Sequence, residues 1–371
     1  MSPWKAAHPG DAFEDIDTPA LVLDLDAFER NLARMQKALA GSNMRLRPHA
    51  KSHKCPDIAL RQIQQGAIGI CCQKVSEAAC FVEAGVQDIL ITNQIVGAKK
   101  VDHVLDLAAR ATIGVLVDHS EQVAQFAQAT SARKITVDVY IEVDVGMGRC
   151  GVSSVEDVVA LAQQIKAAPF LRLMGLQCYH GSAQHYRQPE QRQAAIRQAS
   201  DIAVTMRAAL EKIGIHVERI TGAGTGSVAL ERDSGVFNEV QSGSYIFMDA
   251  DYAKNQQGPQ DVQFEHALFV KTAVLSRPSA ERAVVDAGLK ASSVDSGLPV
   301  VWQQPGVQYT KASDEHGVLQ TELATHPALG DSLLLIPGHC DPTVNLYDEL
   351  ICYRGGKVEA VWPIAARGAT L

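Results

Sequence analysis

No run of five or more basic residues occurs in the 371-residue chain, and acidic residues outnumber basic ones, 42 Asp+Glu against 34 Lys+Arg, for a formal charge of −8. Nucleic acid and anionic membrane both require clustered cationic charge, so neither is expected as a main partner. No stretch of about 18 apolar residues is present, so no segment is expected to span a bilayer. The opening MSPWKAAHPGDAFEDID has no apolar run of signal-peptide length and is acidic where a transit peptide is rich in arginine, so a cytoplasmic protein is expected. The eight cysteines (Cys55, Cys71, Cys72, Cys80, Cys150, Cys178, Cys340 and Cys352) include no C-x-x-C pair. Most lie in apolar runs such as IGICC and GLQCY, and they read as small buried hydrophobes in a reducing compartment, not as a disulfide framework. Low-complexity tracts are also missing. At 46% hydrophobic and 20% charged, the chain can bury an extensive core, and disordered and coiled-coil readings fail.

What is present is a steady alternation of strand-like and helix-like segments over the first 220 residues. ALVLDL (20–25), MRLRPHA (44–50), AIGICC (67–72), DILITN (88–93), TIGVLV (112–117), TVDVYIEVDV (136–145), LRLMGLQCYH (171–180) and VERITGAG (217–224) read as buried strands. Amphipathic helices lie between them. In DAFERNLARMQKALAG, Phe28, Leu32, Met35 and Leu39 recur at helical spacing, Asp26 is the expected N-cap and Gly41 the stop. Strand–helix units of this length imply parallel strands with right-handed crossovers, and about eight of them imply a (β/α)8 barrel. After about residue 255 the texture becomes strand-like runs split by Gly, Pro and Asp: HALFVKTAVLSRP, RAVVDAG, LPVVWQ, SLLLIPGH and ELICYRGGKVEAVWP. The expected organisation is an N-terminal segment (1–19) associated with the β domain, an α/β barrel (20–254) and a β-rich domain (255–371), with NQQGPQ (255–260) as linker.

Active sites of parallel α/β barrels collect at the carboxyl ends of the strands. Four such places carry polar, reactive or Gly-rich residues. RPHAKSHK offers His49, Lys51, His53 and Lys54; a desolvated lysine there can act as an amine nucleophile, and a solvated Lys/His loop is an equal reading. TGAGTGS (221–227) can ring a phosphate with backbone N–H groups and the Thr225 and Ser227 hydroxyls, or be a plain tight turn. It is neither a GxGxxG turn followed by an acidic residue nor a GxxxxGK[ST] loop, which leaves dinucleotide and ATP readings without support. QSGSYIFMDADY (241–252) adds a second Gly/Ser turn. EVDVGMGRCG ends in Arg149, and LQCYHGSAQHYR supplies Tyr179, His180 and His185 as a binding and acid–base wall or a hydrogen-bonded rim. In PGHCDPTVNLYD, His339 and Asp341 are two apart; in an extended segment both project to one face, a pairing suited to Mg²⁺ or Mn²⁺, while Cys340 faces away. A polar turn held by Pro342 is the competing reading. His103, His119, His216 and His326 read as surface groups, and His266 as part of a strand face.

Taken in order, DTPALVLDL, RPHAKSHK, GICCQKVSEA, EVDVGMGRCG, YHGSAQHYR, TGAGTGS, GSYIFMDADY, VVDAGLK, DEHG and PGHCDPTVNLYD resemble the D-threonine aldolase family. Its relatives include 3-hydroxy-D-aspartate aldolases and D-serine dehydratases, all of the alanine-racemase-like, fold type III pyridoxal phosphate architecture. The resemblance runs from about residue 15 to the C-terminus. It implies that Lys51 forms the Schiff base with pyridoxal phosphate, with Lys54, Lys74 and Lys290 structural. It places Gln73, Gly224, Thr225, Gly243, Ser244 and Tyr252 at cofactor-contact positions, Arg149 near the pyridine nitrogen and Tyr179 close to the ring. His339 and Asp341 match the family's metal pair, for Mn²⁺ or Mg²⁺, and His185, or a metal-bound water, is the candidate for taking the substrate β-hydroxyl proton. Related D-serine dehydratases carry Cys where Asp341 stands, so H-x-D favours an aldolase of D-3-hydroxy amino acids over a dehydratase; a non-catalytic pyridoxal phosphate carrier would lack the β domain. VDSGLPVVW and KVEAVWPIAARG look more like the 3-hydroxyaspartate type, YHGSAQHYR more like the D-threonine type. A homodimer is implied as well.

Overall fold

A computed structural model describes residues 4–322 and 327–371; His326 lies outside them. Eight parallel strands form one sheet, in the order Arg45–Leu46, Glu239–Val240, Arg219–Gly222, Leu171–Gln177, Val137–Glu142, Thr112–Val117, Asp88–Gln94, Ile70–Cys72. The two ends approach through a parallel bridge between His49 and Cys71, with the Ile68 N–H on the Leu46 carbonyl and the Cys71 N–H on the Pro48 carbonyl. The sheet therefore curls into the expected barrel. Its strands are nearly continuous apolar runs because helices cover the outer face and side chains fill the interior.

One barrel strand differs from the sequence reading. ALVLDL was expected to open the barrel, but Ala20–Asp24 pairs antiparallel with Leu268–Ser279 and parallel with Glu349–Arg354, inside the second, nine-stranded sheet. The eighth barrel strand is instead Glu239–Val240. A two-residue strand carries no periodicity, whereas Ala20–Asp24 is apolar on both faces wherever it is buried, so local pattern cannot say which sheet it joins. The boundary expected at residue 20 accordingly falls in front of a strand of the β lobe. Residues 4–19 also lie on that lobe: Ala12 bridges Lys357, and the buried Lys271 Nζ donates to the Glu14 and Ile16 carbonyls.

The chain enters the barrel through the helix Leu25–Leu39, capped by Asp24, whose carboxylate accepts from the Asp26 and Ala27 N–H groups; the cap thus sits two residues before the expected Asp26. The helix buries Phe28, Leu32, Met35 and Leu39, each contributing about 1.5–3 kcal/mol through the area removed from water, and Gly41 follows in the left-handed region at φ +75°. In the β lobe, Val307–Ala312 and Gly317–Thr321 form a hairpin not singled out from sequence. Glu349–Arg354 and Lys357–Pro363 pair around Gly355 and Gly356, both at positive φ, as a tight two-residue hairpin requires. All eight cysteines are free thiols, most of them buried. No described helix is long and apolar enough to cross a membrane.

Candidate active site

A cavity of about 270 Å³ opens at the carboxyl ends of the barrel strands. Lys51, Gln73, Arg149, Tyr179, His185, Gly224, Thr225, Gly243, Ser244 and Tyr252 all line it. They arrive from six different strand ends, which is why the sequence scatters them over two hundred positions.

Lys51 lies in the single helical turn Ala50–Ser52 that follows the short first barrel strand. Its Nζ sits 2.6 Å from Asp341 Oδ2, a carboxylate 290 positions away on the β lobe. The Asp341 carboxylate raises the Lys51 ammonium above its ordinary pKa. Burial alone would push Asp341 up, but the Lys51 charge beside it holds the carboxyl well below the usual range. The turn is fixed by His49: its Nδ1 accepts the Lys51 N–H at 3.3 Å, and its Nε2 lies 2.9 Å from Thr92 Oγ1 and 3.0 Å from the Gln73 amide. Burial drives His49 far below the ordinary imidazole pKa, so the ring is neutral.

The Gly-rich turn at 223–227 faces the cavity with one unspent group. Thr225 Oγ1 is buried and has no hydrogen-bond partner among the described residues, as is true of Ser242 Oγ in the neighbouring turn. Gly243 packs so closely that a Cβ would stand 2.7 Å from the His49 carbonyl oxygen. Ser227 does not join this ring of donors, contrary to the sequence reading. Its hydroxyl donates to Glu231 Oε1 at 2.9 Å and accepts from Gln184 Nε2 at 2.7 Å. Glu231 behind it is fully buried, and burial raises its carboxyl to about 8.

His185 closes one side. Its Nδ1 lies 2.7 Å from Asp251 Oδ2, and Asp251 also takes the Arg187 guanidinium. His180 turns away from the cavity and packs its Nε2 against Gly146. Lys54, at φ +51°, pairs with Glu77 at 3.3 Å, and Lys290 pairs with Glu315 on the surface. His103 and His216 are exposed, His119 caps the helix Ser120–Arg133, and His266 packs its ring against Trp302.

His339 and Asp341 do not share a face of an extended segment, as their spacing had suggested. Cys340–Val344 is a short helix with His339 as its N-cap: Asp341 reaches Lys51, and His339 Nδ1 lies 2.8 Å from Asp295 Oδ2. Cys340 is buried behind them, its N–H on Asp249 Oδ2 at 3.0 Å. Another group, Asp118, Glu142 and Cys150, places its ligand-capable atoms within 4.8 Å of one another. Its oxygens already accept protein hydrogen bonds, Asp118 from Gly151 N–H at 2.9 Å and Glu142 from Gln94, and the Arg149 guanidinium stands 4.0 Å from Glu142. A cationic neighbour and protein donors already on both carboxylates favour a hydrogen-bonded wall.

The profile of the alanine racemase N-terminal domain matches residues 23–251, and that of a putative serine dehydratase domain matches residues 267–353. The D-threonine aldolase of Arthrobacter sp is 50% identical over 98% of this chain and 96% of its own. The chain belongs to the D-threonine aldolase family. The 3-hydroxy-D-aspartate aldolase of Paracoccus denitrificans (strain Pd 1222) is 44% identical over 98% of this chain and 95% of its own. The crystal structure of D-threonine aldolase from Filomicrobium marinum superposes with a TM-score of 0.97 at 49% identity, covering 99% of this chain and all of that one. Members of this family thus share both lobes of the fold seen here.

Sequence reasoning passed over His49 as a positioning group, and missed Thr92, Gln177 and Gln241 on the cavity floor, Asp251 behind His185, and Asp295 behind His339. His49, Thr92, Gln177 and Gln241 sit at or just past strand ends, the one signal that was available for them. Asp295 lies in VDSGLPVVW, noted for its resemblance alone.

Proposed function

We propose that the protein is a pyridoxal-phosphate- and divalent-metal-dependent lyase that cleaves D-3-hydroxy amino acids, of the D-threonine, D-allo-threonine or D-3-hydroxyaspartate type, to glycine and an aldehyde. The observation that carries this reading is the meeting of Lys51 with Asp341 at 2.6 Å at the mouth of the cavity, in a chain whose relatives over nearly its full length are aldolases.

The residues fit both groups. The unpartnered Thr225 hydroxyl, with the turns at Gly224 and Gly243–Ser244 that line the cavity, suits a phosphate that would satisfy it. An imidazole and a carboxylate, His339 and Asp341, form the nitrogen and oxygen donor set that Mn²⁺ or Mg²⁺ accepts with water completing the shell. When bound, the cofactor supplies an electron sink at the carbon being cleaved, and the cation a Lewis acid for the β-hydroxyl.

The remaining work falls to the chain's own side chains. Lys51 provides the amine for covalent attachment, and His49 fixes the turn that aims it. Gln73 and Tyr252 would hold the cofactor, Tyr179 would lie against its ring, and Arg149 would serve the ring nitrogen, where a permanent positive charge opposes protonation and keeps the sink mild. His185 takes the β-hydroxyl proton at Nε2 while its Nδ1–H donates to Asp251, whose carboxylate stabilises the imidazolium that forms. An oxygen ligand at Asp341, in place of a thiolate, favours aldol cleavage over dehydration.

The purified enzyme given D-threonine and D-3-hydroxyaspartate with Mn²⁺ or Mg²⁺ is expected to release glycine and the matching aldehyde, and to stop with EDTA. A 2-keto acid and ammonia as products would establish a dehydratase instead. The homodimer and the cytoplasmic location belong to the same proposal; light scattering at the mass of one chain would remove the first.

A further inference from the structure

Behind His339 stands a carboxylate that lines no part of the cavity. Asp295 Oδ2 lies 2.8 Å from His339 Nδ1. An ionised carboxylate only accepts hydrogen bonds, so the shared hydrogen belongs to Nδ1, and a neutral ring then keeps its lone pair on Nε2. The carboxylate is itself held: Ser293 Oγ donates to Oδ1 at 2.8 Å and Ser296 Oγ to Oδ2 at 3.0 Å. The bend that carries it is tied to the His339 turn through Thr343, fully buried, whose hydroxyl donates to the His339 carbonyl at 2.8 Å and accepts the Ser293 N–H at 3.1 Å. The two backbones also touch, since a Cβ on Gly338 would collide with the Gly297 carbonyl oxygen.

The Asp295 side chain is 48% exposed, and an exposed Asp–His pair adds little to folding stability. Two serine hydroxyls and a buried threonine nevertheless fix it at one ring nitrogen. We infer that Asp295 is a positioning residue for the divalent cation: it sets the tautomer and plane of His339 so that Nε2 is presented as the ligand atom. This inference rests on the reading of His339 as a metal ligand. The arrangement follows the general rule that an outer-shell carboxylate raises the basicity of a ligating imidazole and fixes its orientation.

The test is Mn²⁺ binding to the full-length, pyridoxal-phosphate-loaded protein, followed by the free-ion electron paramagnetic resonance signal, for wild type, Asp295→Ala, Asp295→Glu and His339→Ala. Asp295→Ala should weaken Mn²⁺ binding by about 10–100-fold without changing the cofactor absorption band, and Asp295→Glu should recover part of the loss. In the metal-free protein, ¹⁵N resonances of the His339 ring should report hydrogen on Nδ1, reverting to Nε2 in Asp295→Ala. Hydrogen on Nε2 in wild type, or unchanged Mn²⁺ affinity in Asp295→Ala while His339→Ala abolishes binding, overturns the positioning role alone. Unchanged affinity in His339→Ala overturns the ligand assignment and this inference with it.

Discussion

The barrel wall of the cavity and the β-lobe helix that meets it through Asp341 hold their polar groups by different means. On the barrel side, His49 is buried and bonded through both ring nitrogens, and Ser227 is locked between Gln184 and Glu231. These contacts lie under closed strand ends, where an unmade hydrogen bond carries its full desolvation cost. On the lobe side, His339 and Asp341 hang from a five-residue helix, fixed by Asp249, Thr343 and Asp295, and the His339–Asp295 pair is open to solvent. On the proposed function, the barrel wall would hold a group that stays, and the lobe helix an ion that exchanges with water. Substitutions on the first should therefore change cofactor retention or the fold, and on the second metal affinity with the fold intact.

The largest effect should come from Lys51, which meets Asp341 across the two. Lys51→Ala is expected to remove the absorption band of the bound cofactor and to lower turnover on the order of 10⁴-fold or more; a band retained in that variant would move the attachment to another lysine and break the comparison. Next is removal of the cation. EDTA, or His339→Ala, should abolish aldehyde release while leaving the cofactor band and thermal midpoint close to wild type, and added Mn²⁺ or Mg²⁺ should rescue only the EDTA-treated protein. Chelator-insensitive turnover would erase the proposed role of the lobe helix.

A third prediction separates fold from chemistry on the barrel side. Glu231 is raised by burial from its ordinary 4.5 to about 8, so the folded protein binds a proton there that the unfolded chain releases. Its contribution is fully present below about pH 4.5 and is lost as pH rises through 8. Glu231→Gln should flatten this slope and raise unfolding stability by a few kcal/mol near pH 9 relative to wild type, measured by urea denaturation across pH. An unchanged slope would mean that Glu231 is not the titrating group. The smallest effect is expected at Thr225. Thr225→Val removes a hydroxyl that has no partner in the protein, so it should weaken pyridoxal phosphate binding about 10-fold, the worth of one hydrogen bond, with no loss of stability. Destabilisation instead would show that the hydroxyl serves the fold.

The ten barrel positions that the resemblance pointed to line one cavity because they stand next to strand ends or in Gly-rich turns, and a barrel brings all strand ends to one rim. The geometry of the H-x-D pair was not legible from its spacing. A spacing of two puts side chains on one face only if the backbone is extended, and His339 is where the backbone turns into a helix. Asp295 was illegible for a related reason: a serine-flanked aspartate in a bend becomes an imidazole's partner only when Gly297 and Gly338 bring two distant segments into contact.

By itself the sequence determined the alternation of apolar strands and amphipathic helices, the change to β texture near residue 255 and the chemical identity of every group the cavity uses, since these depend on hydrophobic periodicity and on residue type. Only the tertiary structure decided that Ala20–Asp24 serves the second sheet, that a two-residue strand completes the barrel, and that an amine and a carboxylate 290 positions apart meet at 2.6 Å. Such outcomes turn on which buried surfaces and backbone hydrogen bonds can be satisfied together, a condition set by the whole fold and written in no local stretch of it.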